Sequence, residues 1–234
     1  MQYWEGDRAH AEAVVKLLAR LEPEHREDTD ILLVARYDCK VDPRVVHAAS
    51  AKFNTFSYTC PRREIGWPSG CNALWQGTLD YVRQMMGCKR MPRYDAILTF
   101  EADAVPLVPD WLDRLHRDWK EAGCFVAGAL IRGDEHINGN ALFSTSPFFL
   151  EAILKRKVPV GIGWDRYLYS IFKSFGRKDL PGFRSHWQRQ TVGAEELERL
   201  LTEGVYFYHG VKDASVIEFV QKKYLTRPKK LEPL

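Results

Sequence analysis

YDAILTFEADAVPLVPDWL, residues 94–112, decides how the chain folds. Residues 94–100 form a short, mostly apolar run, the length of one buried strand. The run ends in Glu101-Ala102-Asp103, and Pro106 and Pro109 then turn the chain into a helix over 109–123, with Asp110 near its start and Gly123 at its end. Successive side chains of extended backbone alternate, so Glu101 and Asp103 project to the same side. Two carboxylates side by side repel one another unless a cation joins them. Hard oxygen ligands suit Mg²⁺ or Mn²⁺, either of which bridges to a diphosphate. A solvated acidic turn with Asp103 as a local cap is the structural alternative.

The pattern repeats outward from this segment. Residues 8–21 have helical apolar spacing, and 22–30 (EPEHREDTD) reads as an acidic break. ILLVARYD (31–38) and KFNTFSYT (52–59) read as strands, with a short helix within 41–50 between them. The Pro- and Gly-bearing stretch 60–70 reads as a loop, 71–86 as a helix and CFVAGAL (124–130) as a strand. Strands alternating with helices predict an α/β fold with a mixed, mostly parallel sheet flanked by helices on both faces. The second half adds INGNALFS (137–144), helices near 147–155, 164–173, 194–201 and 214–225, and a strand at 205–209. Ligands of such sheets sit beyond the carboxyl ends of the strands. Those ends are 35–38, 101–103 and the neighbourhood of His209.

The chain has 234 residues, 45% hydrophobic and 28% charged, an ordinary globular balance that excludes disordered and fibrous classes. Its net charge of +3 alone does not single out nucleic acid as a partner. No apolar run approaches the ~20 residues of a membrane span, and the first residues lack a signal core. The five cysteines form no CxxC pair and read as reduced thiols. These features predict a soluble, cytoplasmic protein, in the host cytoplasm if the chain is viral. No GxGxxG follows the first strand, and no P-loop, GxSxG or HExxH occurs. Without a Gly-rich phosphate cradle, a metal ion is the next candidate for holding phosphate.

The segment 94–112 resembles the DXD signature of nucleotide-sugar glycosyltransferases of the GT-A fold, with Glu101 in place of the first Asp. The resemblance implies Asp103 as a direct ligand of Mn²⁺ or Mg²⁺, with Glu101 on the ribose or a metal-bound water and Ala102 beside them at the donor. ILLVARYD resembles the first strand of that fold, which implies Ala35, Arg36 and Asp38 at the base and ribose. PSGCNALWQG (68–77) resembles the segment that closes over the nucleotide, with Gly70 and Asn72 as contacts. A helix N-terminus there favours phosphate. YFYHGVKD (206–213) resembles the C-terminal His segment, so His209 completes the metal site and Lys212 reaches the diphosphate. The resemblance spans roughly 28–225 and implies one domain over 1–234: a nucleotide-binding half (28–130), a donor-sugar and acceptor half (131–225) and a basic tail (226–234).

Inverting transfer needs a base for the acceptor hydroxyl. GIGWDRYLYSIF (161–172) resembles the segment that carries it, which implies Asp165, with Asp134 and Glu135 as substitutes. A helix-start acid is the structural reading of Asp165. Asn138 and Asn140 lie two apart around Gly139, where the donor sugar is expected, although an ordinary turn has the same pattern. Residues 172–189 carry five Lys/Arg against one Asp, interleaved with Phe175, Phe183 and Trp187. Charge mixed with aromatics suits a phosphate-bearing acceptor, with Arg184, Trp187 and Arg189 as contacts; a solvated basic face is the alternative. In size and charge the chain is similar to phage enzymes that glycosylate modified pyrimidines in DNA. The expected function is transfer from a nucleoside-diphosphate sugar, UDP-linked, to an acceptor hydroxyl. That hydroxyl belongs to hydroxymethylated DNA or, alternatively, to a glycan or lipid carrier. A nucleotidyltransferase and a non-catalytic nucleotide- or glycan-binding protein are the rival readings.

Overall fold

The computed structural model describes residues 1–131, 133, 135–186 and 191–226. Strand β1 (Gln2–Tyr3) precedes helix α1 (Arg8–Leu21), whose Ala11, Val14, Val15, Leu18 and Leu21 recur at helical spacing and are buried. Then come β2 (Arg26–Ala35), α2 (Pro43–Ser50) and β3 (Phe53–Thr59). Helix α2 starts where Asp42 accepts a hydrogen bond from the Arg44 N–H at 2.8 Å and Pro43 fits the first turn. The middle of the chain forms α3 (Ser69–Gly87), β4 (Ala96–Thr99), β5 (Ala104–Pro106), α4 (Trp111–Ala122), β6 (Val126–Ile131) and β7 (His136–Ser144). Helices α5 (Pro147–Leu154), α6 (Trp164–Tyr167) and α7 (Tyr169–Phe175) lead to β8 (Arg177–Asp179) and β9 (Phe183–Ser185). Helix α8 (Ala194–Thr202), β10 (Phe207–His209) and α9 (Ser215–Val220) follow, and α9 runs on into a π-helical segment over Gln221–Leu225.

The strands form three ribbons, ordered β1-β2-β3, β4-β7-β6-β8 and β5-β10-β9. Parallel neighbours predominate: β1–β2, β2–β3, β6–β8 and β9–β10, against antiparallel β4–β7, β6–β7 and β5–β10. A parallel bridge between Gln2 and Glu101 joins the first ribbon to the end of β4. Side-chain alternation separates two cores. Ala127 and Leu142 face one that holds α1, α4 and α9 side chains, whereas Val126, Ala141 and Phe143 face another built from α3, α5, α6 and α7. Helices therefore flank the sheet on both faces, as expected.

Several boundaries differ from the sequence reading. The acidic stretch 22–30 is half strand: β2 begins at Arg26, with a register irregularity before Asp30. Its charges are tolerated because they are solvated or paired, Arg26 meeting both Asp28 and Asp113 at 2.9 Å. The single helix expected over 164–173 is two, broken at Leu168. Strands β5, β8 and β9 were not anticipated, because each has only three residues.

Candidate functional site

The acidic turn lies where β4 ends and β5 begins, and the C-terminal strand β10 pairs antiparallel with β5, placing His209 opposite Ala104. This register brings residues more than a hundred positions apart together. His209 Nε2 is 3.3 Å from Glu101 Oε2 and 3.4 Å from Asp103 Oδ1. The potential ligand atoms of the three residues lie within 4.8 Å of one another. Asp103 is 6% exposed, and its Oδ1 has no hydrogen-bond partner. Burial works to lower the His209 pKa, but Asp103 and Glu101 outweigh it and push it up to about 9. Burial likewise works to raise the Asp103 carboxyl, yet the adjacent imidazole holds it below its ordinary range.

This donor set fits a divalent cation. Ligand atoms at right angles around an ion at ~2.1–2.3 Å sit about 3.0–3.3 Å apart, close to the spacings here. Two carboxylates with one imidazole suit Mn²⁺ better than Mg²⁺. Asp103 Oδ1, paired with the imidazole at 3.4 Å but making no hydrogen bond, supplies a ligand atom. Ser185 Oγ shares a hydrogen bond with His209 Nδ1 at 2.9 Å, leaving Nε2 toward the carboxylates. Ser185 was missed because only the β9–β10 register brings it to His209. Gly210 could not be another residue: its φ is 116°, and a Cβ there would lie 1.4 Å from the His186 carbonyl oxygen.

The remaining candidates divide into those that face the site and those that brace it. Glu101, Lys212, Asp165 and Asp7 all lie close enough to Cys71 to act on its thiol, which burial, with Glu101 adding to it, pushes up to about 11. Lys212 Nζ is 3.4 Å from Asp7, an acid the sequence reading did not single out. Arg36 makes a bidentate pair with Asp38, at 2.6 and 2.5 Å, and lies 5.2 Å from the centre of the Trp4 ring. Ala35 ends β2 fully buried, and Ala102 is buried beside the acids.

Three residues expected at the donor, Asn72, Asn138 and Asn140, are engaged in hydrogen bonds within the chain. Asn72 is 7% exposed; its Nδ2 donates to the Ile162 carbonyl at 2.8 Å and its Oδ1 accepts from the Trp164 N–H at 2.9 Å. Asn140 Oδ1 accepts from the Glu101 N–H at 2.8 Å, and Asn138 Oδ1 accepts from the Asn140 backbone and side chain at 3.0 Å. The two asparagines thus fix the acidic turn from β7. Gly70 lies against the Ile65 backbone, its N–H donating to the Gly66 carbonyl at 2.6 Å.

Asp165 lies in the first turn of α6, accepts from the Arg166 N–H at 2.9 Å and faces the buried His136 Nε2 at 3.4 Å. Its neighbour Trp164 stacks on Trp75, ring centres 3.8 Å apart, which anchors the segment to α3. Glu135 is ion-paired with Arg177 at 3.5 Å, and Asp134 lies outside the described residues. Of the acceptor candidates, Arg184 pairs with Glu203 at 3.2 Å, while Trp187 and Arg189 lie outside the described residues.

No protein-family model matches the chain, nor does any curated protein. Solved structures do. Staphylococcus aureus TarS residues 1–349 superimposes with a TM-score of 0.54 at 12% identity, covering 99% of this chain and 65% of that one. Streptococcus pneumoniae TIGR4 glycosyltransferase GlyE gives 0.56 at 13% identity, covering 97% and 59%. Mouse xyloside xylosyltransferase 1 in its apo form gives 0.53 at 12%, covering 90% and 96%. The chain thus spans less than two thirds of the TarS fragment and of GlyE. TarS 1–349 has also been crystallised with UDP and with UDP-GlcNAc. At these identities the likeness is one of architecture: the chain shares its fold with TarS, the glycosyltransferase GlyE and the xylosyltransferase.

Proposed function

We propose that the chain is a divalent-cation-dependent glycosyltransferase that moves a sugar from a nucleoside diphosphate, UDP foremost, to an acceptor hydroxyl with inversion. The Glu101–Asp103–His209 cluster carries the reading, because it sits at a strand end in a fold shared with proteins crystallised with UDP and UDP-GlcNAc. Asp103 and His209 hold Mn²⁺ or Mg²⁺, which when bound neutralises diphosphate charge. Arg36 and Asp38 flank the nucleoside, and Lys212 meets the negative charge that develops on the leaving group. Asp165 takes the acceptor proton as the acceptor oxygen bonds to the anomeric carbon and the bond from that carbon to the diphosphate oxygen breaks. Asn138, Asn140 and Asn72 act through the segments they brace. The five free cysteines suit a cytoplasmic setting.

Thermal shift with UDP, in Mn²⁺ or in EDTA, tests the donor half. Stabilisation is expected mainly with the cation and is lost in Asp103→Asn; equal stabilisation in EDTA refutes the cation site. Release of UDP from a UDP-sugar separates an enzyme from a binding protein. Product mass then assigns the acceptor among hydroxymethylated DNA, glycans and lipid-carrier glycans. For DNA, binding must fall with salt at a log–log slope of about −0.7 to −0.9 per phosphate contacted, and replacing Arg184 and Arg189 must flatten it.

A further inference from the structure

Two loops flank the N-terminal end of α3, and both have the same design. One runs Arg62-Arg63-Glu64-Ile65-Gly66-Trp67; the other runs Lys155-Arg156-Lys157 and then 158–162. Each begins with cations and ends in an exposed apolar tip that turns at a glycine of positive φ, Gly66 or Gly161. Ile65 is 61% exposed, Trp67 64%, Val160 93% and Ile162 42%. These four are half of the eight large hydrophobic residues exposed among the described residues.

Helix α3 holds the loops side by side. Asn72 and Gln76, one turn apart, share a helix face. Asn72 binds the Ile162 carbonyl at 2.8 Å. Gln76 accepts from Arg62 at 3.2 Å and donates to the Arg156 carbonyl at 3.0 Å, so one side chain joins the two basic segments. Behind them a cleft of about 1550 Å³ runs from Arg62 and Lys155 to Lys89, Arg90 and Arg93. Its lining acids are Asp80, Asp95 and Glu151, and two of these already pair, with Arg83 and Lys155.

We propose that this edge is a membrane-docking surface that seats the protein on an anionic phospholipid bilayer. Protruding aliphatic side chains enter the headgroup region while the cations behind them meet lipid phosphate and anionic headgroups. Nucleic acid fits less well, because three of the four tip residues, Ile65, Val160 and Ile162, have neither a ring to stack on bases nor a donor for phosphate. Asn72 in α3 binds both the Ile162 carbonyl at one tip and the Trp164 N–H beside Asp165, so the docking edge is joined to the segment that carries the candidate base. For its catalytic consequence alone the proposal rests on the transferase reading: the acceptor hydroxyl is then carried by a lipid.

Co-sedimentation of the full chain with phosphatidylcholine vesicles, with and without phosphatidylglycerol, tests the surface whether or not the donor reading holds. Binding is expected on the anionic vesicles, at least tenfold tighter than on neutral ones. Arg63→Gln with Lys157→Gln should weaken it about fivefold per cation. Ile65→Ser with Val160→Asp should abolish it. All four positions are exposed, so both variants should keep the wild-type melting temperature and UDP response. No vesicle binding, equal binding to both lipids, or binding untouched by Ile65→Ser/Val160→Asp overturns the proposal. So does the absence of vesicle binding together with DNA binding lost in Arg63→Gln/Lys157→Gln, which would mark a nucleic-acid surface. If UDP binding fails while vesicle binding holds, the transferase reading falls and the docking surface stands.

Discussion

Replacing Asn72 with Ala separates a brace from a donor contact. The side chain satisfies two backbone groups at once, the Ile162 carbonyl and the Trp164 N–H, at a position 7% exposed. Removing it leaves both without that partner in a nearly dry site. At about 1–2 kcal/mol for each group left unsatisfied, the loss is about 3 kcal/mol. For a chain of this size, 1 kcal/mol moves Tm by about 2–4 °C, so Tm should fall by about 6–12 °C. The segment released carries Asp165, so kcat should fall while Kd for UDP in Mn²⁺ changes less than about threefold. Asn72→Asp keeps an acceptor for Trp164 N–H but turns an oxygen toward the Ile162 carbonyl, and should be no better. Differential scanning fluorimetry and UDP titration together decide the matter. A Tm within 2 °C of wild type with UDP affinity reduced more than about tenfold would show that Asn72 touches the nucleotide, and the bracing account would be wrong.

Asp165→Asn should leave UDP affinity near wild type and lower turnover about a hundredfold, the scale of a lost general base; retention of most activity in steady-state assays would reduce Asp165 to a helix-start acid. Trp164→Ala removes the ring stacked on Trp75 and should cost about 3–5 kcal/mol in urea unfolding. Gly210→Ala should yield protein that fails to melt cooperatively, since the new methyl meets the His186 carbonyl. In EDTA, the raised His209 pKa contributes stability that is complete below about 6.5 and lost as pH rises through about 9. Tm should therefore fall across that interval, and His209→Gln should flatten the profile.

The alternation of strand and helix was legible because apolar runs and helical spacing repeat with little interruption from residue 8 to residue 130. The start of β2 was hidden by its own charges, since a strand whose ends are solvated and ion-paired carries no apolar signature. Three-residue strands such as β5 and β9 lie below the length at which periodicity speaks. Glu101, Asp103 and His209 could be picked out as types of residue at strand ends. Their convergence depended on the β5–β10 register, a long-range fact that local pattern does not contain. The asparagines show the limit from the other side. Polar residues beside a pocket look like ligand contacts in sequence, but Asn72 and Asn140 are turned onto backbone groups because buried N–H and C=O groups must be satisfied.

Strand β10 has three residues and is pinned on both sides, by β5 and by β9. Side chains alternate along a strand, so sliding it by one position would turn the imidazole away and present Tyr208 or Gly210 to the acids. During synthesis the acidic turn leaves the ribosome about a hundred residues before its histidine. For all that interval Asp103 has no imidazole beside it, whatever the rest of the sheet has achieved. Only the pairing of β10 in register completes the constellation. A nascent or C-terminally clipped chain that keeps much of its core is therefore expected to be silent toward cation and nucleotide. On the proposed reading, cation binding reports that β10 has paired in register with β5 and β9.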